Sequence, residues 1–323
     1  MRILVTGGAG YIGSHLVREL IKNHEIIVYD NLENGHKKSL PKNIKLIKED
    51  LNNITELNKA FHYNNIDSVI HLASNIMVGE SMRYPLKYYC DTRNSLNLLE
   101  CMANNNVKKI IFSSSAAVYG QPEEIPIKEN TKTNPMNPYG KQKLIFEKIL
   151  EDCHKANGLK YISLRYFNAA GAHLSGEIGE DHNPETHLIP LVIKAALENK
   201  EIKIFGTDYA TPDKTCIRDY IHVSDLAYAH KLALETLDKI NGVFNLGNNK
   251  GYSVREIIEK TREITNIDIK TLEEERRKGD PAILIASYEK IKKELGWEPK
   301  HNINIIIETA WNWHKNNQQG YKR

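Results

Sequence analysis

Four cysteines are all that this 323-residue chain contains. Cys90, Cys101, Cys153 and Cys216 are scattered with no Cys-x-x-Cys pair, so neither a disulfide framework nor a thiolate zinc site is indicated. Long apolar runs are lacking as well: none approaches the roughly 20 residues of a membrane-spanning helix. The chain opens directly in a strand-like stretch, so no signal peptide is expected, and reduced thiols make the cytoplasm the expected location. An excess of one charge is also missing. The 44 Lys and Arg and 41 Asp and Glu are interleaved and leave +3, so no nucleic-acid surface is expected. The densest charged block, residues 273–278, is of mixed sign. No His, Asp and Glu cluster has convincing metal-ligand spacing, so no metal is expected. Repeats are absent, and the general richness in Asn, Ile and Lys reads as genome base composition.

What is present begins at the amino terminus. Arg2-Ile3-Leu4-Val5-Thr6 is a short β-branched run, followed by glycines at 7, 10 and 13 and an amphipathic pattern of Ile12, Leu16, Leu20 and Ile21. That order reads as strand, turn and helix. The Gly-x-x-Gly-x-x-Gly spacing keeps side chains away from a pyrophosphate approaching the helix N-terminus, whose free N–H groups and dipole favour anions. A second strand, Glu25–Tyr29, ends in Asp30, 17 residues beyond Gly13. This is close to the ~20-residue separation of an acid that binds a ribose 2′-hydroxyl, and its charge favours NAD over NADP. Lys37 and Lys38 are expected in a solvated loop.

Strand and helix patterns alternate through about residue 170. Strands are expected over 44–48, 68–73, 109–113 and 161–165, with helices around 96–103 and 141–154. Asp50, Ala73 and Ser115 fall at or just after strand ends, the edge where a parallel sheet binds ligands. The pattern turns irregular after Asn168, with Gly, His, Asp and Pro crowding 171–190. Short apolar elements follow at 189–197 and 202–205. Strands at 220–223 and 242–246 are expected to return to the main sheet, and helices follow near 254–265 and 288–294. The fold class is therefore α/β, a Rossmann-like doubly wound parallel sheet with a smaller, interleaved C-terminal substrate domain. The expected division is 1–170, with a return segment near 220–246, and 171–323.

Ser115 closes the run Ser113-Ser114-Ser115, and Tyr139-Gly140-Lys141-Gln142-Lys143 begins 24 positions later. Tyr and Lys four apart lie on one helix face about one turn from each other. An ammonium beside a phenol favours phenolate, so Tyr139 is a candidate base and Ser115 a hydroxyl that polarises the same substrate oxygen.

With Gly-Tyr-Ile-Gly-Ser-His (10–15), Val-Gly-Glu-Ser (78–81), Pro-Tyr-Gly-Lys (138–141), Arg-Tyr-Phe-Asn (165–168), His-Leu-Ile-Pro (187–190), the stretch 208–223 and Arg-Arg-Lys-Gly-Asp-Pro-Ala (276–282), the chain resembles a known family almost end to end. These are the extended short-chain dehydrogenase/reductases acting on nucleotide sugars, most closely the UDP-glucose 4-epimerases. The resemblance implies a retained NAD. Tyr139 would take the 4-hydroxyl proton while hydride leaves C4, and the 4-keto sugar would turn before hydride returns to its other face. Ser115, Tyr139 and Lys143 become the catalytic set. The implied cofactor contacts are Gly7, Gly10, Tyr11, Ile12, Gly13, Asp30, Asn31, Asn34, Asp50, Leu51, Leu72, Ala73, Ser113, Tyr139, Lys143 and Tyr166. Those for the UDP-sugar are Ser115, Tyr139, Asn168, His187, Leu188, Arg218, Tyr220, Arg277, Asp280 and Leu284, with Arg218 and Arg277 as the diphosphate clamp. Arg276 reads as a surface residue. His187 and His222 read as structural, His71 as a core histidine, and Trp311 and Trp313 as packing for a terminal helix. A homodimer through the helices near 86–103 and 141–154 is implied too.

Two positions depart from the family pattern. Ile76 stands where a pyrophosphate-facing Lys is common, the loss of which would weaken NAD retention by about 1–3 kcal/mol, and Thr92 stands where a cofactor-facing Asn is common. Ala116 and Ala117 replace the carboxylate that a 4,6-dehydratase carries beside its Ser or Thr. Leu284 replaces a bulky Tyr that restricts some 4-epimerases to non-acetylated sugars, so both UDP-galactose and UDP-GalNAc are expected substrates. Epimerases of UDP-N-acetylhexosamine or UDP-glucuronate alone, and a non-catalytic NAD or UDP-sugar sensor, remain alternatives.

Overall fold

The computed structural model describes residues 1–277 and 280–321. In chain order the elements are β1 (Arg2–Thr6), α1 (Tyr11–Leu20), β2 (Glu25–Tyr29), β3 (Lys45–Ile47), α2 (Ile54–Asn64), β4 (Ser68–His71), α3 (Val78–Arg83), α4 (Pro85–Asn104), β5 (Lys109–Ser115), α5 (Pro138–Asn157), β6 (Lys160–Tyr166) and β7 (Asn168–Ala170). There follow α6 (Leu188–Glu198), β8 (Ile202–Phe205), β9 (Ile217–His222), α7 (Val223–Thr236), β10 (Gly242–Leu246), β11 (Gly251–Ser253), α8 (Val254–Thr265), β12 (Thr271–Glu274), β13 (Ile283–Leu284), α9 (Glu289–Leu295) and α10 (Ile303–Asn316).

The main sheet is parallel, in the order β3-β2-β1-β4-β5-β6-β10. Its first six strands follow the order of a doubly wound dinucleotide-binding sheet. Both faces are covered, which is why its central strands are apolar runs without alternation. One face packs Leu16, Val17 and Leu20 of α1 against Leu226, Ala229 and Ala233 of α7. The other packs Leu57 and Phe61 of α2, Leu98 and Cys101 of α4, and Phe146 and Leu150 of α5. Each fully buried Phe or Leu there contributes about 1.5–3 kcal/mol.

Of the two later strands expected in the main sheet, residues 242–246 join it beside β6. Residues 217–222 do not: β9 lies in a second sheet between β11 and β13, with β7 beside it. The buried Asp219 carboxylate explains this placement, because it accepts from the backbone N–H groups of Asn248 and Ala286 and stitches β9 to the segments on either side. The smaller lobe closes around α6, α8 and α10 through Ile189, Ile193, Ile257, Ile306 and Ile307. Trp313 is buried on α10 as expected, and Trp311 packs against the cluster that includes Ile189 and Ile193. Lys37 and Lys38 sit on an exposed one-turn 3₁₀ segment. All four cysteines are free thiols, and among the described residues no helix is long and apolar enough to cross a membrane.

Candidate active site

The carboxyl ends of β1, β2, β4, β5 and β6 open onto one cleft of about 1310 Å³, which residues of the smaller lobe close from above. Typical small-molecule pockets hold about 300–1,000 Å³, so this one has room for a dinucleotide and a second ligand. Every site residue expected from the sequence lines it.

The first end is the glycine turn. Gly7 has φ +71°, and a Cβ there would sit 2.6 Å from the Ala73 nitrogen; one on Gly13 would sit 2.2 Å from the Gly7 oxygen. These two glycines let the turn fold tightly under α1. Gly10 is far less crowded by protein, since its Cβ would meet nothing nearer than 3.3 Å. As the N-cap it makes no side-chain cap, so the first N–H groups of α1 remain free for an anion. Asp30 is buried at the tip of β2, accepting from Ala9 N at 2.9 Å and Leu32 N at 2.8 Å. Burial pushes its carboxyl up, and the two backbone bonds pull it back. Asn31 donates to Asp50 at 2.7 Å, and Tyr11 spans the two lobes with a 2.6 Å bond to the Gly171 carbonyl.

The middle of the cleft is the junction of β5 and α5. Asn137 caps α5 by accepting from Gly140 N at 2.8 Å, and Pro138 supplies a preset first residue. A Cβ at 140 would lie 2.5 Å from the Ala117 carbonyl, so Gly140 is what lets the first turn of α5 close on the turn after β5. That contact brings Tyr139 beside Ser115, close enough for the hydroxyl to lower the phenol. Lys143, one turn on, is buried; it donates to the Ser113 carbonyl at 2.9 Å and lies 5.8 Å from the centre of the Tyr139 ring. Burial pushes the Tyr139 phenol up, the Ser115 hydroxyl pulls it down, and the Asp91 charge adds to the rise. Burial lowers Lys143 to about 8, with Asp91 and Glu147 opposing. The ammonium expected to favour phenolate is therefore turned toward a backbone carbonyl, and further positive charge beside the phenol is needed.

Of the two departures, Ile76 lines the cleft. Thr92 corrects the sequence reading: its hydroxyl is buried without a partner and does not face the cleft. The residue that does is Asp91 on α4, held by Ser74 Oγ at 2.9 Å, Asn75 N at 2.7 Å and Asn75 Nδ2 at 2.8 Å. A one-residue offset in helical phase separates the two readings.

At the far end, Arg218 on β9 is ion-paired with Asp280 and donates to the Ile217 carbonyl at 2.7 Å. The Arg277 guanidinium lies 4.0 Å from the centre of the Phe205 ring. Arg276 pairs with Asp208 at 3.0 Å and stacks on Tyr209, away from the cleft lining. Leu188, at the start of α6, and Leu284, opposite Arg218 across β9 and β13, provide apolar wall. Asn168, Tyr166 and Tyr220 complete the lining between the lobes.

His71 is a buried core histidine, 2.7 Å from Thr6 Oγ1 and 2.8 Å from Ser95 Oγ. His222 is buried and accepts from Ser224 N at 3.0 Å. His187 contradicts the expectation of no clustered ligand set, because the fold gathers it with Glu180, His182 and Glu185. Burial works against protonation of His182, yet the Glu180 and Glu185 carboxylates outweigh it and raise it to about 10. The reading by motif also missed the support beneath the reacting groups. Glu147, two turns beyond Tyr139, bonds Arg165 Nε at 2.9 Å, Arg165 Nη2 at 2.6 Å and Ser114 Oγ at 2.5 Å. The signal was its spacing: 139, 143 and 147 share one face of α5.

Residues 3–247 match the model of the NAD dependent epimerase/dehydratase family. The chain belongs to this family. Its relative from Halalkalibacterium halodurans, a UDP-glucose 4-epimerase, is 52% identical over 99% of this chain and 98% of its own length. The UDP-glucose 4-epimerase of Bifidobacterium longum, solved in complex with NAD+ and UDP, superposes with a TM-score of 0.95 at 42% identity, covering 99% of this chain and 100% of that one. The UDP-Glc/GlcNAc 4-epimerase of Campylobacter jejuni gives a TM-score of 0.84 at 40% identity, covering 98% and 99%. NAD is the family's cofactor. The open space before Gly10, the uncapped start of α1 and the buried Asp30 carboxylate fit its pyrophosphate and an unphosphorylated ribose.

Proposed function

We propose that this protein inverts C4 of UDP-hexoses, converting UDP-galactose and UDP-glucose into each other. The observation that carries the reading is the convergence of Ser115, Tyr139 and Lys143 in the cleft that the glycine turn and Arg218 also line. NAD held in the cradle of the glycine turn and Asp30 would supply a hydride acceptor and donor and a positive charge. Tyr139, as phenolate, takes the 4-hydroxyl proton as C4 is oxidised and returns it when C4 is reduced. Ser115 donates to the same oxygen and steadies the charge on it. Lys143, one turn along α5, keeps a positive charge near the Tyr139 ring. Between the two transfers the hexose turns over, so the diphosphate must be gripped and the sugar left free. Arg218 and Arg277 suit the grip through forked bonds to phosphate oxygens, and the apolar Leu188 and Leu284 give the sugar no polar anchor. Asp280 is displaced toward the uridine ribose when Arg218 takes phosphate.

The same reading divides the chain. Residues 1–170 and the returning stretch that ends in β10 hold NAD, and most of the remainder holds the UDP-sugar. Exposed Leu86, Tyr89 and Leu96 on α4, with Ile145 on α5, support a homodimer through these two helices, in a cytoplasmic protein. Leu284 in place of a bulkier residue supports turnover of the acetylated pair UDP-GalNAc and UDP-GlcNAc. The sensor alternative retains only Ile76, since Thr92 turns away from the cleft.

NMR of the purified protein with UDP-galactose and no added NAD tests the proposal, with conversion to UDP-glucose as the expected result. No conversion even after NAD is supplied would reject it. In the same assay UDP-GalNAc should react, and Leu284→Tyr should remove that reaction while sparing UDP-galactose.

A further inference from the structure

We propose that Glu180, His182, Glu185 and His187 form a binding site for one divalent transition-metal ion, with zinc the best match. The four residues occupy the loop between β7 and α6 as Glu-x-His-x-x-Glu-x-His. One ligand atom from each lies within 4.8 Å of all the others. His187 Nδ1 touches Glu180 Oε1, His182 Nδ1 is 3.1 Å from that same oxygen, and Glu185 Oε1 is 3.8 Å from both imidazole nitrogens. Ligands held at about 2.0–2.2 Å by a tetrahedral zinc ion are about 3.3–3.6 Å from one another. The observed separations bracket that range, so small side-chain shifts would centre an ion among the four.

Burial and unmet bonding argue that the cluster is more than a set of surface ion pairs. The Glu180 and Glu185 side chains are 2% and 3% exposed. Glu185 Oε1 is aimed by the Thr186 and His187 backbone N–H groups at 2.7 and 2.9 Å, while its Oε2 is buried without a hydrogen bond. His182 Nδ1 is likewise buried, close to Glu180 but without hydrogen-bond geometry. Two nitrogens and two carboxylates converging on one point become a metal ligand set of borderline softness once an ion displaces the imidazole protons. Calcium and magnesium prefer all-oxygen sites, and no thiolate takes part.

The ion would be a staple rather than a reactant. His187 is the N-cap of α6, His182, Glu185 and His187 line the cleft, and neither Tyr139 nor Lys143 is among the four ligands. The inference does not depend on which sugar is turned over, and its test reads metal directly. Tag-free protein carrying its own NAD is stripped with a chelator, equilibrated with zinc chloride, desalted and assayed for metal. One zinc per chain is expected, with X-ray absorption showing only nitrogen and oxygen ligands at about 2.0–2.2 Å and a higher unfolding temperature in the loaded form. His182→Gln and Glu185→Gln should each weaken zinc binding at least about tenfold, with far-ultraviolet circular dichroism checking that each variant folds. Failure to retain zinc, sulfur in the absorption spectrum, or unchanged zinc content in both variants would overturn the assignment. Should one variant not fold, the other and the spectrum of the unmodified protein decide.

Discussion

At the proposed reaction end of the cleft, Ser115, Tyr139 and Lys143 stand on capped, buried secondary structure that fixes them before any ligand arrives, whereas at the proposed nucleotide end Arg218 and Arg277 lean on their own neighbours. The first group is positioned by the Asn137 cap, the Gly140 contact and the buried Glu147–Arg165 pair. The second has stand-in partners: Asp280 for Arg218 and the Phe205 ring for Arg277. A proton transfer needs fixed distances, while a clamp that must admit and release a nucleotide needs partners it can exchange. Damage at the first end should therefore appear in kcat and in folding, and damage at the second in KM.

The largest effect separating the two ends should come from Tyr139→Phe. Loss of the base is expected to lower kcat by about 10²- to 10⁴-fold, with UDP affinity unchanged by calorimetry. An equal loss of affinity would mean that the two ends are not separable. Glu147→Ala comes next. It leaves the Arg165 guanidinium buried without its carboxylate, and removing one partner of a buried pair costs about 3–5 kcal/mol. Urea unfolding monitored by circular dichroism should show that loss.

The same contrast governs how far the sequence could be read. The glycine turn, Asp30, Ser115 and the Tyr139–Lys143 pair were legible because each depends on local spacing: a tight turn, a strand end, one helical turn. The parallel sheet was legible from its apolar runs, and β10 returned to it as expected. Residues 217–222 were misplaced because Asp219, the group that binds β9 into the second sheet, draws its partners from residues 248 and 286. The Thr92 reading failed by one position on α4, enough to turn a side chain by about 100°. The Glu180–His187 cluster escaped because its ligands converge only when the loop folds back on itself.

Arg218→Ala sharpens the comparison from the other side. A charge-assisted bond contributes about 1.5–3 kcal/mol, so KM for UDP-galactose should rise about 10- to 100-fold while kcat and the urea midpoint stay near their original values. Steady-state kinetics beside an unfolding curve would check this. A large drop in stability would show that the Arg218–Asp280 pair is part of the scaffold and would break the contrast.

The smallest effect concerns acid. His71 and His230 lie buried in the dinucleotide half, where burial lowers them to about 3 and about 4 respectively. Both folded values lie below the ~6.5 of an unfolded histidine, so between those limits the unfolded chain binds more protons and stability falls as pH falls. From pH 7 to 6 each should cost about 0.7 kcal/mol. Urea midpoints at the two values should shift accordingly, and His230→Gln should flatten the dependence by its own share, whatever it does to stability at pH 7. Were the dependence steeper in that variant, His230 would already carry a proton in the folded state. Its 2.5 Å contact with the Tyr166 hydroxyl would then be a bond from imidazolium, and the catalytic half would owe its rigidity to one more charge than burial alone permits.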